Sequence, residues 1–224
     1  MTILRPALAA DPRLIAGFTT RAFSPADEGV DGARRRLADA VGMPVASVGQ
    51  VHGADVAVVR EGGHLAAHDG LVTDVPGVVL SVVAADCALV LLADAEAGVV
   101  GACHSGWRGT VAGIVGETVR AMVGVGASPE RMRAYLGPCI SAEAFEVGEE
   151  VAAQFDDAVV HRRPAWPRPH VDLKAELARQ LAEAGVEDVE VADGCTVADG
   201  DRFYSYRAQS GTPGRMLGFV GLRA

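Results

Sequence analysis

The sequence has little of what marks several protein classes. Only 5% of its 224 residues are aromatic, and 29 acidic residues outnumber 20 basic ones, which gives a formal net charge of −9. An acidic chain lacks the electrostatic footprint of a nucleic-acid or anionic-membrane binder, so neither partner is expected. An anionic substrate such as phosphate would therefore need a local cluster of basic side chains.

Signals for export or membrane insertion are also absent from the pattern. Asp11 and Pro12 interrupt the apolar N-terminal residues, so we expect no secretory signal. The longest apolar stretch, residues 75–93, contains Pro76, Asp86 and Cys87 and divides into strand-length pieces, which argues against a membrane span. We expect a cytoplasmic protein.

Four cysteines are present, and no two of them form a Cys-x-x-Cys pair. In a reducing compartment each is expected to be a free thiol. A chain of this length buries roughly 70% of its unfolded surface, so its core needs no disulfides. We expect a single domain over residues 1–224, as a monomer or small homo-oligomer.

The periodicity predicts both helices and strands. Ser141 and Asp172 have N-cap chemistry, and Gly42 and Gly185 stand where a glycine would end a helix. The proline-rich residues 162–169 predict a loop. Helical patterns cover residues 31–41, 110–123, 141–155 and 172–184, and strand-like runs cover 56–59, 78–83, 88–92, 99–103, 132–136, 189–191 and 216–220. Hairpins mixed with crossovers predict an α+β (mixed α/β) fold, with mixed sheets flanked by helices.

Residues 85–110 predict a β-hairpin followed by a helix. If residues 94–97 form its loop, opposed residue numbers sum to 191, so Cys87 faces His104 and the two can share a metal ion. Cys103 then points to the other face and is buried as a small apolar residue. A shift of one residue would place Cys87 opposite Cys103 instead.

A third candidate ligand is His52, which precedes a glycine and a short strand. Two imidazoles and one thiolate suit zinc, and three protein ligands with an open fourth position are typical of catalytic zinc. On spacing alone, hydrogen-bonded loop histidines and a buried thiol explain the same residues, because none lies in a short metal-binding motif.

Three arginines are candidates for binding phosphate. Arg108 lies in a strand-to-helix turn, where backbone N–H groups attract anions, and Arg207 and Arg215 offer planar guanidinium groups. A packed or solvated surface side chain is the alternative for each. The run at residues 34–36 is predicted to be the exposed side of its helix, outside the site.

Seven motifs in order carry a resemblance to a known family. They are QVHGADV (50–56), DGLVTD (69–74), ADCALVLLAD (85–94), ACHSGWRGT (102–110), LGPCIS (136–141) with FEVGEEV (145–151), HVDLKAEL (170–177), and FYSYR (203–207) with Gly-Arg at 214–215. In these motifs the chain resembles the laccase-domain family. Its members were first described as multicopper polyphenol oxidoreductases and are now regarded as zinc-containing purine nucleoside phosphorylases.

The resemblance implies a fold related to cysteine-hydrolase-like toxin domains and one metal bound by His52, Cys87 and His104. It implies phosphorolysis of adenosine, inosine, guanosine and methylthioadenosine to free base and ribose 1-phosphate, together with deamination of adenosine. Zinc is expected rather than copper, because a multicopper oxidase needs several histidine clusters and this chain has six histidines. Purine nucleosides and inorganic phosphate are the expected partners.

Within that function, Cys87, His104 and Asp69 are the candidate catalytic residues. Asp69 is interpreted as the acid that protonates the departing purine or orients the nucleoside, with a turn-forming Asp-Gly as the alternative. Asp86 is a candidate for orienting a metal ligand. Residues 22–29 lack the glycine-rich insert usual in relatives, which shortens one wall of the expected pocket.

Other function classes stay open beside the phosphorylase and deaminase. The same geometry permits a cysteine hydrolase with Cys87 as nucleophile and His104 as base. A copper-dependent polyphenol oxidoreductase and a non-enzymatic metal-binding or scaffold protein are the remaining alternatives. Metal content separates the hydrolase from the zinc enzyme, because a thiolate bound to zinc is a poor nucleophile.

Overall fold

Two six-stranded sheets form the centre of the computed structural model, which describes residues 2–210 and 214–224. The strands in this part of the chain are β1 (Ile3–Leu4), β2 (Leu14–Thr19), β3 (Val45–Val48), β4 (Val56–Val58), β5 (Gly63–Leu65), β6 (Gly70–Thr73), β7 (Val79–Ala84), β8 (Ala88–Asp94), β9 (Val99–Ser105), β10 (Arg133–Leu136), β11 (Val160–His161), β12 (His170–Val171), β13 (Asp188–Val191) and β14 (Met216–Leu222). The first sheet has the order β1-β2-β14-β7-β3-β5, and the second has the order β13-β10-β8-β9-β6-β4. Both sheets contain parallel and antiparallel pairs, so the predicted mixed architecture is confirmed.

Helices cover the outer faces of the two sheets. The α-helices of the described residues are α1 (Gly29–Val41), α2 (Trp107–Val111), α3 (Ile114–Gly124), α4 (Glu149–Ala152) and α5 (Leu173–Glu183), of which α1, α3 and α5 pack on the sheets. Leu37 of α1 packs on the first sheet, whereas Met122 of α3 and Leu181 of α5 pack on the second. Side chains from both sheets fill the core between them. Strands β8 and β9 are buried on both faces, which explains their continuous apolar sequences.

The hairpin of β8 and β9 is formed, but in a register two residues away from the expected one. Leu89 pairs with His104 and Asp94 with Val99, so opposed numbers sum to 193 and residues 95–98 form the loop. The expected direct pairing of Cys87 with His104 was therefore wrong. A shift of two residues preserves the alternation of side chains, so Cys103 still faces away from His104, towards α3.

Two helix predictions fail for identifiable reasons. Residues 110–123 are divided by Gly113, whose φ of 77° ends one helix before α3 begins. Residues 141–155 are helical only in α4, because the amides of Val147 and Val171 bond the carbonyls of Pro169 and Phe145. Ser141 thus lies in a turn and caps no helix, whereas the side chain of Asp172 caps α5 as expected.

Several smaller expectations can also be checked. Residues 162–169 form the predicted loop, which lies between β11 and β12. Residues 70–73 form β6, where a turn was expected. All four cysteines are free thiols. Of the helices found in the described residues, none has the length and apolar character that crossing a bilayer requires.

Candidate metal centre and substrate cavity

Three side chains from separate segments converge at one end of the stacked sheets. His52 lies in the loop after β3, Cys87 in the turn between β7 and β8, and His104 near the end of β9. Their ligand atoms all lie within 4.8 Å of one another. The two imidazole rings are nearly perpendicular, with centroids 4.8 Å apart. Two imidazole nitrogens and one sulfur form a donor set that zinc accepts.

Unusual backbone conformations place two of these ligands. His52 has a φ of 63°, and Asp86, immediately before Cys87, has a φ of 89°. Non-glycine residues adopt this left-handed region infrequently, and such strain concentrates at functional sites. The side-chain amide of Gln50 bonds both the N–H and the C=O of Val83, at 2.8 and 2.7 Å, and so attaches the start of the His52 loop to β7.

Asp69 is fully buried beneath the metal ligands. Its carboxylate accepts hydrogen bonds from the backbone amides of Val51, His52 and Gly53 at 2.7–3.1 Å. It also lies 2.8 Å from Nδ1 of His104. A carboxylate only accepts, so Nδ1 carries the proton and Nε2 is the nitrogen that remains for a metal. One side chain thus fixes the backbone of the first ligand and the tautomer of the third.

The three groups alter each other's protonation. Burial raises the pKa of the Cys87 thiol, but hydrogen bonds from His104 and His52 outweigh it and lower that pKa to about 6. Burial lowers the pKa of His104, but hydrogen bonds to Asp69 and Cys87 raise it to about 9. Cys87 is thus held as a thiolate, the form of cysteine that binds metals and acts as a nucleophile. Burial instead raises the pKa of Cys103 to about 12.

A cavity of about 750 Å³ opens over the three ligands. The predicted phosphate-binding residues Arg108, Arg207 and Arg215 all lie on its wall, together with Arg34, which sequence analysis had placed outside the site. Its apolar wall consists of Val30, Val48, Val83, Ala84, Ala85, Trp107, Ile140, Phe145, Leu173 and Tyr206. Among the described residues that line this cavity, Asp86 is the one acid, so an acidic protein presents a cationic cavity.

Each of the three predicted arginines has a local support. The guanidinium of Arg108 lies 4.3 Å from the centroid of the Trp107 ring. Arg207 donates to the carbonyls of Ala144 and Glu146 at 3.3 and 3.1 Å, and Arg215 donates to the carbonyl of Gly214 at 3.1 Å. All three guanidinium groups belong to residues that line the cavity, and the planar guanidinium fork suits binding of an oxyanion.

Asp86 connects the metal-binding turn to the segment that carries Arg207. Its Oδ1 accepts a hydrogen bond from the hydroxyl of Thr196 at 2.5 Å, and its Oδ2 accepts one from the backbone amide of Arg207 at 2.7 Å. The carboxylate of Asp86 therefore bonds two residues that lie 110 and 121 positions further along the chain. The sequence makes Asp86 a candidate for orienting a metal ligand. Its left-handed backbone conformation and its two hydrogen-bond partners could not be predicted from the sequence.

Sequence analysis missed Arg34 and Gln50. Arg34 was grouped with its arginine neighbours, although Ala33 and Leu37 place the buried face of α1 beside it. That helical spacing was a usable signal. Gln50 stands two residues before His52, but its bonds to Val83 depend on β3 and β7 being neighbours, which the sequence does not reveal.

Comparisons with known proteins find relatives over most of the chain. The chain is 46% identical over 198 residues to a purine nucleoside phosphorylase of Deinococcus radiodurans, covering 84% of this chain and 76% of that protein. It is 37% identical over 155 residues to adenosine deaminase RL5 from an unknown prokaryotic organism, covering 66% of this chain and 59% of that one.

A solved structure shares the whole fold. The crystal structure of YlmD from Geobacillus stearothermophilus superimposes with a TM-score of 0.89 at 29% identity, covering 100% of this chain and 97% of that chain. The family described as multi-copper polyphenol oxidoreductase laccase matches residues 21–223. Since this match spans nearly the entire chain and includes all three converging ligands, the protein belongs to the multi-copper polyphenol oxidoreductase laccase family.

Proposed function

We propose that the protein is a zinc-dependent purine nucleoside phosphorylase that also deaminates adenosine. The observation that carries this proposal is one cavity that combines the His52, Cys87 and His104 group with four arginines. A site for phosphorolysis has to bind an anion and an uncharged nucleoside side by side. Relatives named purine nucleoside phosphorylase and adenosine deaminase support the same two activities.

The donor set and its surroundings fit zinc. Cys87 is held as a thiolate, and Asp69 leaves Nε2 of His104 as the donor. Three protein ligands leave a further coordination position for a small oxygen ligand. Bound there, zinc would supply Lewis acidity that polarises such an oxygen. Several copper ions would need several histidine clusters, whereas the described residues contain one such group.

In phosphorolysis, an oxygen of inorganic phosphate forms a bond to C1′ of the ribose. The bond from C1′ to the purine nitrogen breaks, and the purine leaves with the electron pair and takes up a proton. The guanidinium groups of Arg108, Arg207 and Arg215 hold the phosphate oxygens and offset their charge. Trp107 and Tyr206 offer aromatic surface to the purine ring.

We assign Asp69 to positioning, not to protonation of the purine. Its side chain has 0% exposure, it does not line the cavity, and four hydrogen-bond donors already occupy its oxygens. It orients His104 and holds the His52 loop. In deamination of adenosine, water adds at C6 and ammonia leaves, so the same cavity releases inosine, which is itself a substrate for phosphorolysis.

Elemental analysis combined with product analysis tests the proposal. We expect about one zinc per chain and, from inosine with inorganic phosphate, hypoxanthine and ribose 1-phosphate. His52→Ala, Cys87→Ala and His104→Ala should each lower both the metal content and the two activities. Release of free ribose at a rate independent of phosphate would contradict phosphorolysis, and several copper ions per chain would contradict the zinc site.

A cysteine hydrolase is the second candidate, because Asp69, His104 and Cys87 stand in the order of an orienting acid, a base and a nucleophile. A sample from which a chelator has removed the metal distinguishes the hydrolase from the zinc enzyme. If Cys87 acts as a nucleophile, removal of metal preserves or raises hydrolysis and an alkylating reagent abolishes it. If the three residues hold zinc, chelation abolishes activity and added zinc restores it.

A further inference from the structure

Arg34 faces the cavity, unlike the arginines that follow it on α1. Val30 and Arg34, one helical turn apart, both line the cavity wall. The side chain of Arg34 is 16% exposed, whereas Arg35 and Arg36 are exposed and Arg36 pairs with Glu28 at the surface. The partly buried position of this single guanidinium therefore needs an explanation.

The hydrogen bonds of Arg34 satisfy it only in part. Its Nη2 donates to the carbonyl of Val48 at 3.2 Å, and its Nη1 lies 3.4 Å from a carboxylate oxygen of Asp31, a side chain that is 82% exposed. Its Nε is buried and meets no acceptor among residues 2–210 and 214–224. A guanidinium carries five N–H donors, and the described residues provide acceptors for two of them.

A charge in this position is unfavourable in the protein by itself. Burial lowers the pKa of Arg34, and the ion pair with the exposed Asp31 opposes that effect only in part. Buried charges are normally paired or hydrogen-bonded, and an unsatisfied buried polar group calls for a specific explanation. An anion in the adjoining cavity would supply the missing acceptors and the missing negative charge.

A second arginine lies beside the same face of α1. Val30 and Arg215 line both the main cavity and a smaller cavity of about 210 Å³ that adjoins it. Arg34 and Arg215 therefore bound the same side of the main cavity. Arg108 and Arg207 are supported elsewhere, against Trp107 and the carbonyls of residues 144 and 146.

We propose that Arg34 is a further phosphate-binding residue, which beside Arg215 completes the subsite for inorganic phosphate to which Arg108 and Arg207 also contribute. This inference rests on the proposed phosphorolysis, because inorganic phosphate is its second substrate. Two guanidinium groups match the several oxygens of one phosphate through paired N–H donors. A phosphate group also occurs at the 5′ position of nucleotides, and the experiment has to separate these two sources.

The test compares Arg34→Gln with Arg35→Gln, an exposed neighbour on the same helix. Rates of base release from inosine are measured over a range of phosphate concentrations, and then over a range of inosine concentrations. For Arg34→Gln we expect KM for phosphate to rise about tenfold or more, with KM for inosine nearly unchanged, because the lost hydrogen bonds involve a charged group. Arg34→Lys keeps the charge and loses the planar fork, so its KM for phosphate should lie between those of the wild type and Arg34→Gln. Arg35→Gln should match the wild type.

A binding measurement provides a readout that does not depend on turnover. Inorganic phosphate alone should raise the Tm of the wild type and of Arg35→Gln, and it should do so much less for Arg34→Gln. The Tm without phosphate verifies that each variant is folded, and the zinc content verifies that each variant has bound its metal.

The outcomes separate the inference from the proposed function. If the wild type releases base independently of phosphate, the proposed function fails. If the wild type depends on phosphate and Arg34→Gln keeps its KM for phosphate, or raises only KM for inosine, the function stands and the role of Arg34 is wrong. Inosine 5′-monophosphate is the third probe. If it binds the wild type more tightly than inosine and Arg34→Gln loses only that preference, Arg34 recognises a nucleotide phosphate and the inference is overturned.

Discussion

Nδ1 of His104 lies 2.8 Å from Oδ1 of Asp69, and both side chains are almost completely withdrawn from solvent. The same carboxylate accepts a hydrogen bond from the backbone amide of His52. Asp69 therefore couples two candidate metal ligands that lie 52 positions apart in the chain, and it does so from outside the cavity. Outer residues of this kind set the orientation of metal ligands, so the site should be sensitive to Asp69 although no substrate touches it.

Asp69→Asn should weaken zinc binding by about 10-fold to 100-fold. The substitution removes the negative charge of Asp69. The NH2 group of the asparagine would also face backbone N–H groups that donate to the carboxylate in the wild type. Competition with a chromophoric chelator measures the affinity. Asp74→Asn is the matched control, because Asp74 lies at the other end of β6 and pairs with the exposed Arg60. Equal affinities for the two variants would contradict the positioning role of Asp69.

Gly106→Ala should also impair the metal site. Gly106 has an ordinary φ of −75°, so backbone strain is not the cause. A Cβ at this position would lie 2.8 Å from Sγ of Cys87 and 3.1 Å from Cδ2 of His52, closer than atoms normally pack. We expect zinc content and activity to fall together while the fold persists by circular dichroism.

Gly116→Ala is the control for this substitution. A Cβ on Gly116, in α3, meets nothing within 4 Å. Alanine there should leave zinc content unchanged and raise the free energy of unfolding by about 0.5–1 kcal/mol, because glycine is unfavourable inside a helix. If Gly106→Ala bound zinc as tightly as Gly116→Ala, the contact between Gly106 and Cys87 would not limit the site.

How far the sequence predicts this molecule depends on how local each signal is. The face of Cys103 was predicted correctly although the register was off by two, because side-chain alternation survives an even shift. The helix expected at residues 141–155 failed because the segment bonds residues 169–171, a partner that periodicity does not contain. Spacing made His52, Cys87 and His104 candidate ligands, but only the family resemblance favoured a metal site over loop histidines and a buried thiol, since three residues from three separate segments leave no short motif.

Asp94→Asn should lower stability in a pH-dependent way. Burial raises the pKa of Asp94, but hydrogen bonds from Arg131 and from the amides of Ala97 and Ser128 outweigh it and hold that pKa below its ordinary value of 3.8. A lowered pKa in the folded state contributes stability above the pKa of the unfolded state, and this contribution is lost as the pH falls below about 4.

The substitution should therefore cost about 2 kcal/mol near neutral pH, the scale of hydrogen bonds to a charged group, and progressively less as the pH falls below 4. Urea unfolding at several pH values measures the difference. Glu96→Gln, at a side chain that is 79% exposed, is the control and should change stability little at any pH. A pH-independent difference would show that the charge of Asp94 is not what stabilises the loop after β8.

Cys103→Ala should leave the metal site nearly unchanged and Cys87→Ala should destroy it, although Cys87 immediately precedes the β8–β9 hairpin that contains Cys103. Cys103 is fully buried on the face of β9 that packs against α3, and it points away from His104. Its replacement should cost on the order of 1 kcal/mol of stability and leave zinc content and phosphate-dependent hypoxanthine release nearly intact. Cys87→Ala removes one of three ligand atoms and should abolish both. Metal analysis beside the inosine assay, for both variants, checks this. Loss of zinc from Cys103→Ala with retention in Cys87→Ala would mean that the thiol holding the metal has been misassigned, because only a side chain on the His104 face reaches the other two ligands.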